Sequence, residues 1–205
     1  MMQIQLAGRD VSRETMSKLQ QFADLLCKWN KKINLVSSAG MSDLWERHIV
    51  DSAQVFSYAP QGTGHWVDLG SGGGLPGIVC AVLAQDSLPE CRFTLIESDH
   101  RKSAFLMTAA RELALPLSVL TERAEAAAPQ GADIVTARAL APLDQLLPLV
   151  MRHIAETGIA ILPKGKNHAQ ELAAAQREWH FEATAHASLT DPLARLLVIK
   201  EITRV

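Results

Sequence analysis

The sequence predicts an α/β fold with a mostly parallel sheet covered by helices, a helical extension at the N-terminus and an antiparallel hairpin at the C-terminus. From residue 65 onward, short apolar runs alternate with helical patterns, which is typical of the units that build a parallel sheet. Ile134, Val135 and Ile161 illustrate that both alternating sets of strand positions are apolar, as central parallel strands require. The last two strand-like runs have no helix between them, which predicts the hairpin.

The first 60 residues carry helical patterns only, so we expect residues 1–60 to form a helical extension that packs on the core. Behind a Ser12 cap, apolar residues recur at spacings of three and four; they are Leu19, Phe22, Ala23, Leu26, Trp29 and Ile33. A second helix is predicted to start at Ser42 or Asp43 and to stop before Pro60. Its apolar face consists of Trp45, Ile49, Ala53 and Phe56.

Residues 61–205 are predicted to form one structural unit, because neither a linker nor an internal repeat interrupts them. The predicted strands cover residues 65–69, 92–97, 117–120, 133–137 and 158–162. The predicted helices cover residues 76–85, 101–114, 142–155 and 167–178. The hairpin strands are residues 180–188 and 195–201, joined by residues 189–192, and we expect them at the edge of the sheet.

The length and composition indicate one globular domain. The chain has 205 residues, of which 48% are hydrophobic and 20% charged, so intrinsic disorder is excluded. The formal net charge is -2, and no overall basic field therefore attracts nucleic acid or an anionic membrane. Any polyanionic partner must be contacted locally.

The cysteines and the N-terminus indicate a cytoplasmic protein. Cys27, Cys80 and Cys91 are odd in number, have no CxxC spacing and have apolar neighbours, as reduced core cysteines of a cytosolic protein do. No segment approaches the roughly 18 uninterrupted apolar residues of a membrane span, and Arg9 and Arg13 interrupt the place of a signal peptide's apolar run. We predict no membrane partner and no metal site.

The loop after the first predicted strand of the sheet is rich in glycine. Its glycines are Gly70, Gly72, Gly73, Gly74 and Gly77, and Pro76 stands where the first helical turn should begin. Glycine lets a ligand approach the bare backbone, and the helix N-terminus adds unpaired N–H groups. The loop therefore predicts a cofactor site.

Two acidic residues bear on the identity of this cofactor, because a dinucleotide loop of NAD enzymes has similar glycines. Asp68, two residues before Gly70, suits the cationic S-adenosylmethionine better than a pyrophosphate, which it would repel. Glu97 closes the next strand, where it is placed to accept hydrogen bonds from a ribose diol of either cofactor. The alternative is that both acids merely cap helices. We predict S-adenosylmethionine.

Five blocks of the sequence closely resemble the small-subunit (16S) ribosomal RNA methyltransferase G family, also called glucose-inhibited division protein B. They are residues 28–35 (KWNKKINL), 47–52 (RHIVDS), 67–77 (VDLGSGGGLPG), 136–139 (TARA) and 163–165 (PKG). The resemblance implies a Rossmann-like class I methyltransferase with a seven-stranded sheet. It also implies transfer of a methyl group from S-adenosylmethionine to ring position 7 of a guanine in 16S ribosomal RNA.

The resemblance also implies roles for individual residues. Gly70 and Leu75 match the methionine and ribose part of the family's cofactor site. Ala124 and Glu125 match the pair beside the adenine, and Arg138 matches an arginine at the edge of cofactor and substrate.

The proposed chemistry needs alignment rather than a base. Ring nitrogen 7 of guanine has a lone pair and no proton to lose, so in-line attack requires no general base. A cation against that nitrogen would raise the barrier, so we expect Arg138 and Lys164 to contact RNA phosphates or other edges of a flipped base. Asn34 and His48 are candidates for shaping the base pocket, although a lone histidine is more often a packing residue.

Several alternatives remain open from the sequence. The partner is expected to be 16S ribosomal RNA within a small subunit or an assembly intermediate, but naked RNA is not excluded. Lys28, Lys31 and Lys32 form either an RNA-binding patch or the solvated end of a helix. The competing functions are methylation of another RNA, a small molecule or a protein, and a non-catalytic nucleotide-binding regulatory module.

Overall fold

The chain begins with a small hairpin that the sequence analysis missed. In a computed structural model that describes residues 4–37 and 41–205, strands β1 (Ile4–Leu6) and β2 (Arg9–Val11) pair antiparallel. Ala7 and Gly8 between them have φ angles of 49° and 76°, as a two-residue hairpin turn requires. The expectation of helices only in the first 60 residues is therefore wrong, and Gly8 was the available signal.

The first helix, α1 (Arg13–Asn30), begins at the predicted cap. The Ser12 Oγ accepts a hydrogen bond from the Thr15 N–H at 3.0 Å. The stripe residues Leu19, Phe22, Ala23 and Leu26 are buried, whereas Ile33 lies beyond the helix end.

The second helix has two parts. A π-helical turn covers Trp45–Val50 and continues directly into helix α2 (Asp51–Phe56). Ile49, Ala53 and Phe56 are buried as predicted, whereas Trp45 is half-buried. Short π-helical turns of this kind are frequent at functional sites.

The remaining elements alternate as predicted. The strands are β3 (His65–Leu69), β4 (Arg92–Ile96), β5 (Leu117–Leu120), β6 (Ala132–Ala137), β7 (Ile154–Lys164), β8 (Trp179–Ala187) and β9 (Arg195–Arg204). The helices are α3 (Gly77–Ser87), α4 (His100–Glu112), α5 (Leu143–His153) and α6 (His168–Ala175). The predicted seven-stranded sheet is confirmed, with strand order β5-β4-β3-β6-β7-β9-β8.

The pairing directions also agree with the prediction. β3, β4, β5, β6 and β7 are parallel, whereas β9 pairs antiparallel with both β7 and β8 at the edge. The strand order reverses between β3, which neighbours β4, and β6 on its other side. In open α/β sheets, ligands bind at the carboxyl ends of the strands near such a reversal.

Apolar clusters cover both faces of the sheet. One face packs against α1, α2, α3 and α4, with Phe22 and Trp29 contacting Phe105. The other face packs against α5 through Leu143, Leu146 and Leu147. The N-terminal helices thus contact the core directly, and the division of the chain at residue 60 stays a prediction.

Among the residues that the structure describes, no helix combines the length and the apolar character needed to cross a bilayer.

Candidate cofactor site and substrate cleft

Hydrogen bonds connect the glycine loop after β3 both to the end of β3 and to β4. The Ser71 N–H donates to the Ile96 carbonyl at 3.1 Å, and the Ser71 hydroxyl donates to the Asp68 carbonyl at 2.9 Å. Gly70, Gly72 and Gly74 have positive φ angles of 62°, 54° and 77°, a conformation that side chains disfavour. The loop conformation therefore depends on glycine.

The loop leaves bare backbone at one position in particular. A Cβ added at Gly70 would lie 2.6 Å from Leu140 Cδ1, and one at Gly77 would lie 2.7 Å from Asp68 Oδ2. A Cβ at Gly72 would meet only the Gly70 carbonyl oxygen, at 3.7 Å. Gly77 is thus required by packing inside the protein and Gly70 by its positive φ angle, whereas Gly72 leaves space that a ligand can occupy.

Asp68 is a fully buried carboxylate beside this loop. Its Oδ1 accepts a hydrogen bond from the Thr136 hydroxyl at 2.8 Å, whereas its Oδ2 has no hydrogen-bond partner within the described part of the chain. Burial raises the pKa of Asp68 to about 6, although hydrogen bonding from the Thr136 and Ser71 side chains and from the Gly77 backbone acts in the opposite direction. An unpaired buried carboxylate oxygen is suited to a cationic ligand group.

Glu97 connects the two predicted parts of the cofactor site. Its Oε2 accepts a hydrogen bond from the Gly72 N–H at 2.8 Å, and its Oε1 accepts one from the Asp99 N–H at 2.8 Å. The side chain is buried at the end of β4. Both oxygens retain a lone pair, and the contact with a ribose diol stays a prediction.

A loop of the N-terminal extension lies over the glycine loop. The Asn30 Oδ1 accepts hydrogen bonds from the Leu35 and Val36 N–H groups at 2.8 and 3.0 Å. The Leu35 carbonyl oxygen lies 3.3 Å from where a Cβ of Gly73 would be. Asn34 in this loop is exposed. Sequence reasoning missed Asn30, whose amide directly follows the helix stripe and is typical of a capping group.

The remaining cofactor candidates lie in the glycine loop and in the segment after β5. β5 ends at Leu120, whose carbonyl accepts the Glu97 N–H at 3.0 Å. After β5, Ala124 is buried, with its carbonyl 2.8 Å from His153 Nε2, whereas Glu125 is exposed. Leu75 is buried in the core. The roles of Leu75, Ala124 and Glu125 at the cofactor stay predictions.

A cleft of about 1020 Å³ opens where β6 and β7 end. Its walls come from the π-helical turn and α2, the loop after β6, the end of β7, and the loop between β8 and β9. The side chains that bear on function include Arg47, His48, Asp51, Arg138, Lys164 and Thr190. The structure thus brings together three of the four predicted positioning residues, and Asn34 is not among the lining residues.

Arg138 is held inside the cleft by an acid and a histidine. Its Nη1 lies 3.2 Å from the Asp51 Oδ2, and both terminal nitrogens lie 3.2 Å from the His48 Nδ1. Because a guanidinium only donates, His48 Nδ1 must be an acceptor and the imidazole proton belongs to Nε2. Burial, with a smaller effect of Arg138, lowers the pKa of His48 to about 4. His48 is therefore neutral at pH 7.

Lys164 is likewise engaged with the protein. Its Nζ lies 2.8 Å from the Glu171 Oε2 and donates to the Ala141 carbonyl at 2.8 Å. Its side chain is only 8% exposed, so it does not present its charge to solvent. Arg47 at the same cleft is exposed and forms no ion pair with a described residue. Sequence reasoning did not assign Arg47, and only its place in the matched block 47–52 pointed to it.

Across residues 4–37 and 41–205, no three His, Cys, Asp or Glu side chains come close enough together to hold a metal ion.

The sheet order and the glycine loop after β3 define the class I methyltransferase fold. A TehB-like S-adenosylmethionine-dependent methyltransferase of Corynebacterium glutamicum superposes with a TM-score of 0.56, covering 90% of this chain and 98% of that chain at 14% identity.

The sequence comparisons then give the family. The family model described as rRNA small subunit methyltransferase G (GidB) matches residues 15–196. The ribosomal RNA small subunit methyltransferase G of Ruegeria sp. (strain TM1040) is 52% identical over 196 residues, covering 96% of this chain and 95% of the relative. The protein of the same name from Cereibacter sphaeroides (strain ATCC 17025) is 50% identical, covering 96% and 94%. The chain belongs to the rRNA small subunit methyltransferase G family, and the resemblance found in the sequence is confirmed.

Proposed function

We propose that this protein transfers a methyl group from S-adenosylmethionine to ring nitrogen 7 of a guanine in 16S ribosomal RNA. The observation that carries the proposal is that open space at Gly72 and a buried Asp68 Oδ2 without a hydrogen-bond partner in the described residues occur in the same segment after β3 begins. Family membership and the relatives' names support ribosomal RNA of the small subunit as the substrate.

The residues at the glycine loop fit this cofactor. Asp68 would receive the cationic amino group, because its buried charge lacks a cationic partner at Oδ2. Glu97 would receive the ribose hydroxyls, since each of its oxygens is already oriented by a backbone N–H. A pyrophosphate would instead bring negative charge toward Asp68, so NAD does not fit.

When bound, S-adenosylmethionine supplies a methyl group that its sulfonium already activates. The chain contributes the alignment of the target base. His48 is neutral, its Nδ1 is occupied by Arg138, and Lys164 is paired with Glu171, so these three groups are not placed to remove a proton. This arrangement supports a target atom that has a lone pair and no proton, as ring nitrogen 7 of guanine does.

The cleft would hold the RNA. Arg47 provides an exposed cation for a phosphate, and Arg138 would contact the base or its backbone from within the wall. A contact of Lys164 with RNA would require its pair with Glu171 to open. A few cations on a chain of net charge -2 give modest, salt-sensitive affinity. We therefore propose the folded RNA of a small subunit or an assembly intermediate as the substrate, which would place the reaction in the cytoplasm.

Two measurements test the proposal. S-adenosylmethionine should raise the melting temperature of the purified protein, while NAD should not. Radiolabelled methyl groups should be transferred to small subunits that lack the modification, and charge reversal at Arg47 should lower this transfer. Stabilisation by NAD alone would contradict the cofactor assignment. Transfer only to a protein or a small molecule, or no transfer at all, would contradict the substrate assignment.

A further inference from the structure

Asp51 connects three segments that surround the cleft. Its Oδ2 pairs with Arg138 after β6, at 3.2 Å. Its Oδ1 accepts hydrogen bonds at 2.8 Å from the Thr190 hydroxyl of the β8–β9 loop and from Gln54 Nε2 on its own helix. One carboxylate thus joins the loop after β6 and the β8–β9 loop to the N-terminal extension.

The buried position of Arg138 depends on this carboxylate. The Arg138 and Asp51 side chains are each only 19% exposed, and a desolvated guanidinium is costly without a charged partner. His48 is neutral and supplies only a hydrogen-bond acceptor. Without the Asp51 charge, Arg138 would gain by moving its guanidinium toward solvent, away from the cleft wall.

Arg138 is also the link between the cleft and the cofactor loop. Leu140, two residues further on, lies against Gly70, where its Cδ1 would be 2.6 Å from an added Cβ. The charge of Arg138 also acts on Asp68, as the smallest of the effects that oppose the rise in pKa caused by burial. A displacement of Arg138 would therefore change the surroundings of the glycine loop as well as those of the cleft.

The β8–β9 loop is held by the same helix. The Leu189 N–H donates to Gln54 Oε1 at 2.9 Å, and Gln54 Nε2 donates to the Ser188 hydroxyl at 3.1 Å. Together with the bond between Thr190 and Asp51, these contacts hold the β8–β9 loop, which forms part of the rim of the cleft.

We propose that Asp51 is a positioning residue, which acts on the cofactor and the RNA through Arg138 and sets the cleft rim through Thr190. The role of Arg138 in this inference rests on the proposed function. The placement of Arg138 by Asp51 does not.

A double-mutant cycle tests this inference. Asp51→Asn, Arg138→Gln and the double variant are compared with the wild-type protein for cofactor dissociation constant, kcat and KM on small subunits, and melting temperature. Asp51→Asn should weaken cofactor binding and lower kcat at least about tenfold. On the Arg138→Gln background the same change should alter either quantity less than about threefold. Glu112→Gln removes an exposed carboxylate outside the cleft and serves as the charge control.

A conservative variant and a second site keep the inference testable if Asp51→Asn folds poorly. Asp51→Glu retains the charge and should recover part of the loss. Thr190→Val leaves the pair with Arg138 intact, so it should raise KM for RNA without changing cofactor affinity.

The inference would be overturned if the two substitutions acted independently, so that their effects on cofactor affinity and kcat multiplied in the double variant. It would also be overturned if affinity and kcat fell only in proportion to the melting temperature. If the wild-type protein binds the cofactor but methylates no RNA, the proposed function fails. The cycle on cofactor affinity alone then still decides the role of Asp51.

Discussion

The N–H of Gly72 donates a 2.8 Å hydrogen bond to the carboxylate of Glu97, so the bare position of the glycine loop is fixed by the acid at the end of the next strand. The second carboxylate oxygen orients the Asp99 N–H in the same way. Glu97 therefore shapes the loop as well as facing the predicted ribose position, a double role that sequence reasoning did not assign.

Glu97→Gln should separate this role from simple helix capping. An amide has one acceptor oxygen, so either the Gly72 or the Asp99 N–H loses its partner, at a cost of about 1–3 kcal/mol. We expect cofactor affinity to fall at least tenfold and the protein to remain folded. Calorimetric titration and chemical denaturation measure the two effects, with the exposed Glu90→Gln as control. Unchanged affinity would show that Glu97 is structural only.

Gly72→Val should abolish cofactor binding, because the new side chain would occupy the open space above the loop. Gly62 offers a matched control, since it also has a positive φ angle and nothing within 4 Å of its Cβ position. Both variants should lose similar stability, about 1–3 kcal/mol, from the strained backbone. Only Gly72→Val should lose the thermal shift with S-adenosylmethionine, and equal binding by the two variants would refute the assignment.

Asp68, Gly72 and Glu97 could be predicted from the sequence because each lies at the end of a strand or in the loop that follows it. Asp68 ends a strand, Gly72 follows in the loop, and Glu97 ends the next strand, so the parallel register alone brings them together. Asp51 lacked such a signal, because its partners Arg138 and Thr190 lie 87 and 139 residues away in the chain. Only the packing of the N-terminal extension on the sheet brings these three side chains together.

The orientation of predicted residues was equally inaccessible from the sequence. The position of Lys164 at a strand end predicted its place in the cleft, but its pairing with Glu171 depends on how α6 packs. The hairpin of β1 and β2 was missed because strands of three residues are too short for their alternation to stand out beside the helix pattern.

Asp68 should make the stability of the free protein depend on pH. Its pKa is raised from the ordinary value of 3.8 to about 6, so the folded state holds this proton more tightly than the unfolded chain. The contribution is complete below about pH 4 and is lost as the pH rises through 6, on the order of 3 kcal/mol. Asp68→Asn should remove this dependence and weaken S-adenosylmethionine binding.

The measurement is the unfolding free energy of the wild type and of the variant at pH 5 and pH 8. His48, whose pKa is lowered, makes both proteins more stable as the pH rises, so subtracting one protein's value from the other's removes this effect. The variant should gain stability relative to the wild type at pH 8. A gain at pH 5 instead, or none at either pH, would mean that Asp68 is not destabilised by its burial.

Methyl transfer in a single turnover should depend weakly on pH between about 7 and 9 at saturating cofactor. No proton has to leave ring nitrogen 7, and the pKa values of Asp68 and His48 lie below this range. Arg138→Ala should slow transfer, on the order of a hundredfold, without changing the pH profile. A tenfold rise per pH unit would indicate that a proton is removed and that the target is an amino or hydroxyl group.

The identity of the methylated atom is the most direct test of the proposed function. Small subunits lacking the modification are incubated with the protein and radiolabelled S-adenosylmethionine, and the extracted 16S RNA is treated with borohydride and aniline, which cleave the chain at 7-methylguanosine. If ring nitrogen 7 is the target, one methyl group is transferred per subunit, the RNA is cleaved at a single position, and the label is released from the RNA with the excised base. With Gly72→Val, neither transfer nor cleavage should occur. Label that remains in uncleaved RNA would contradict the proposed function.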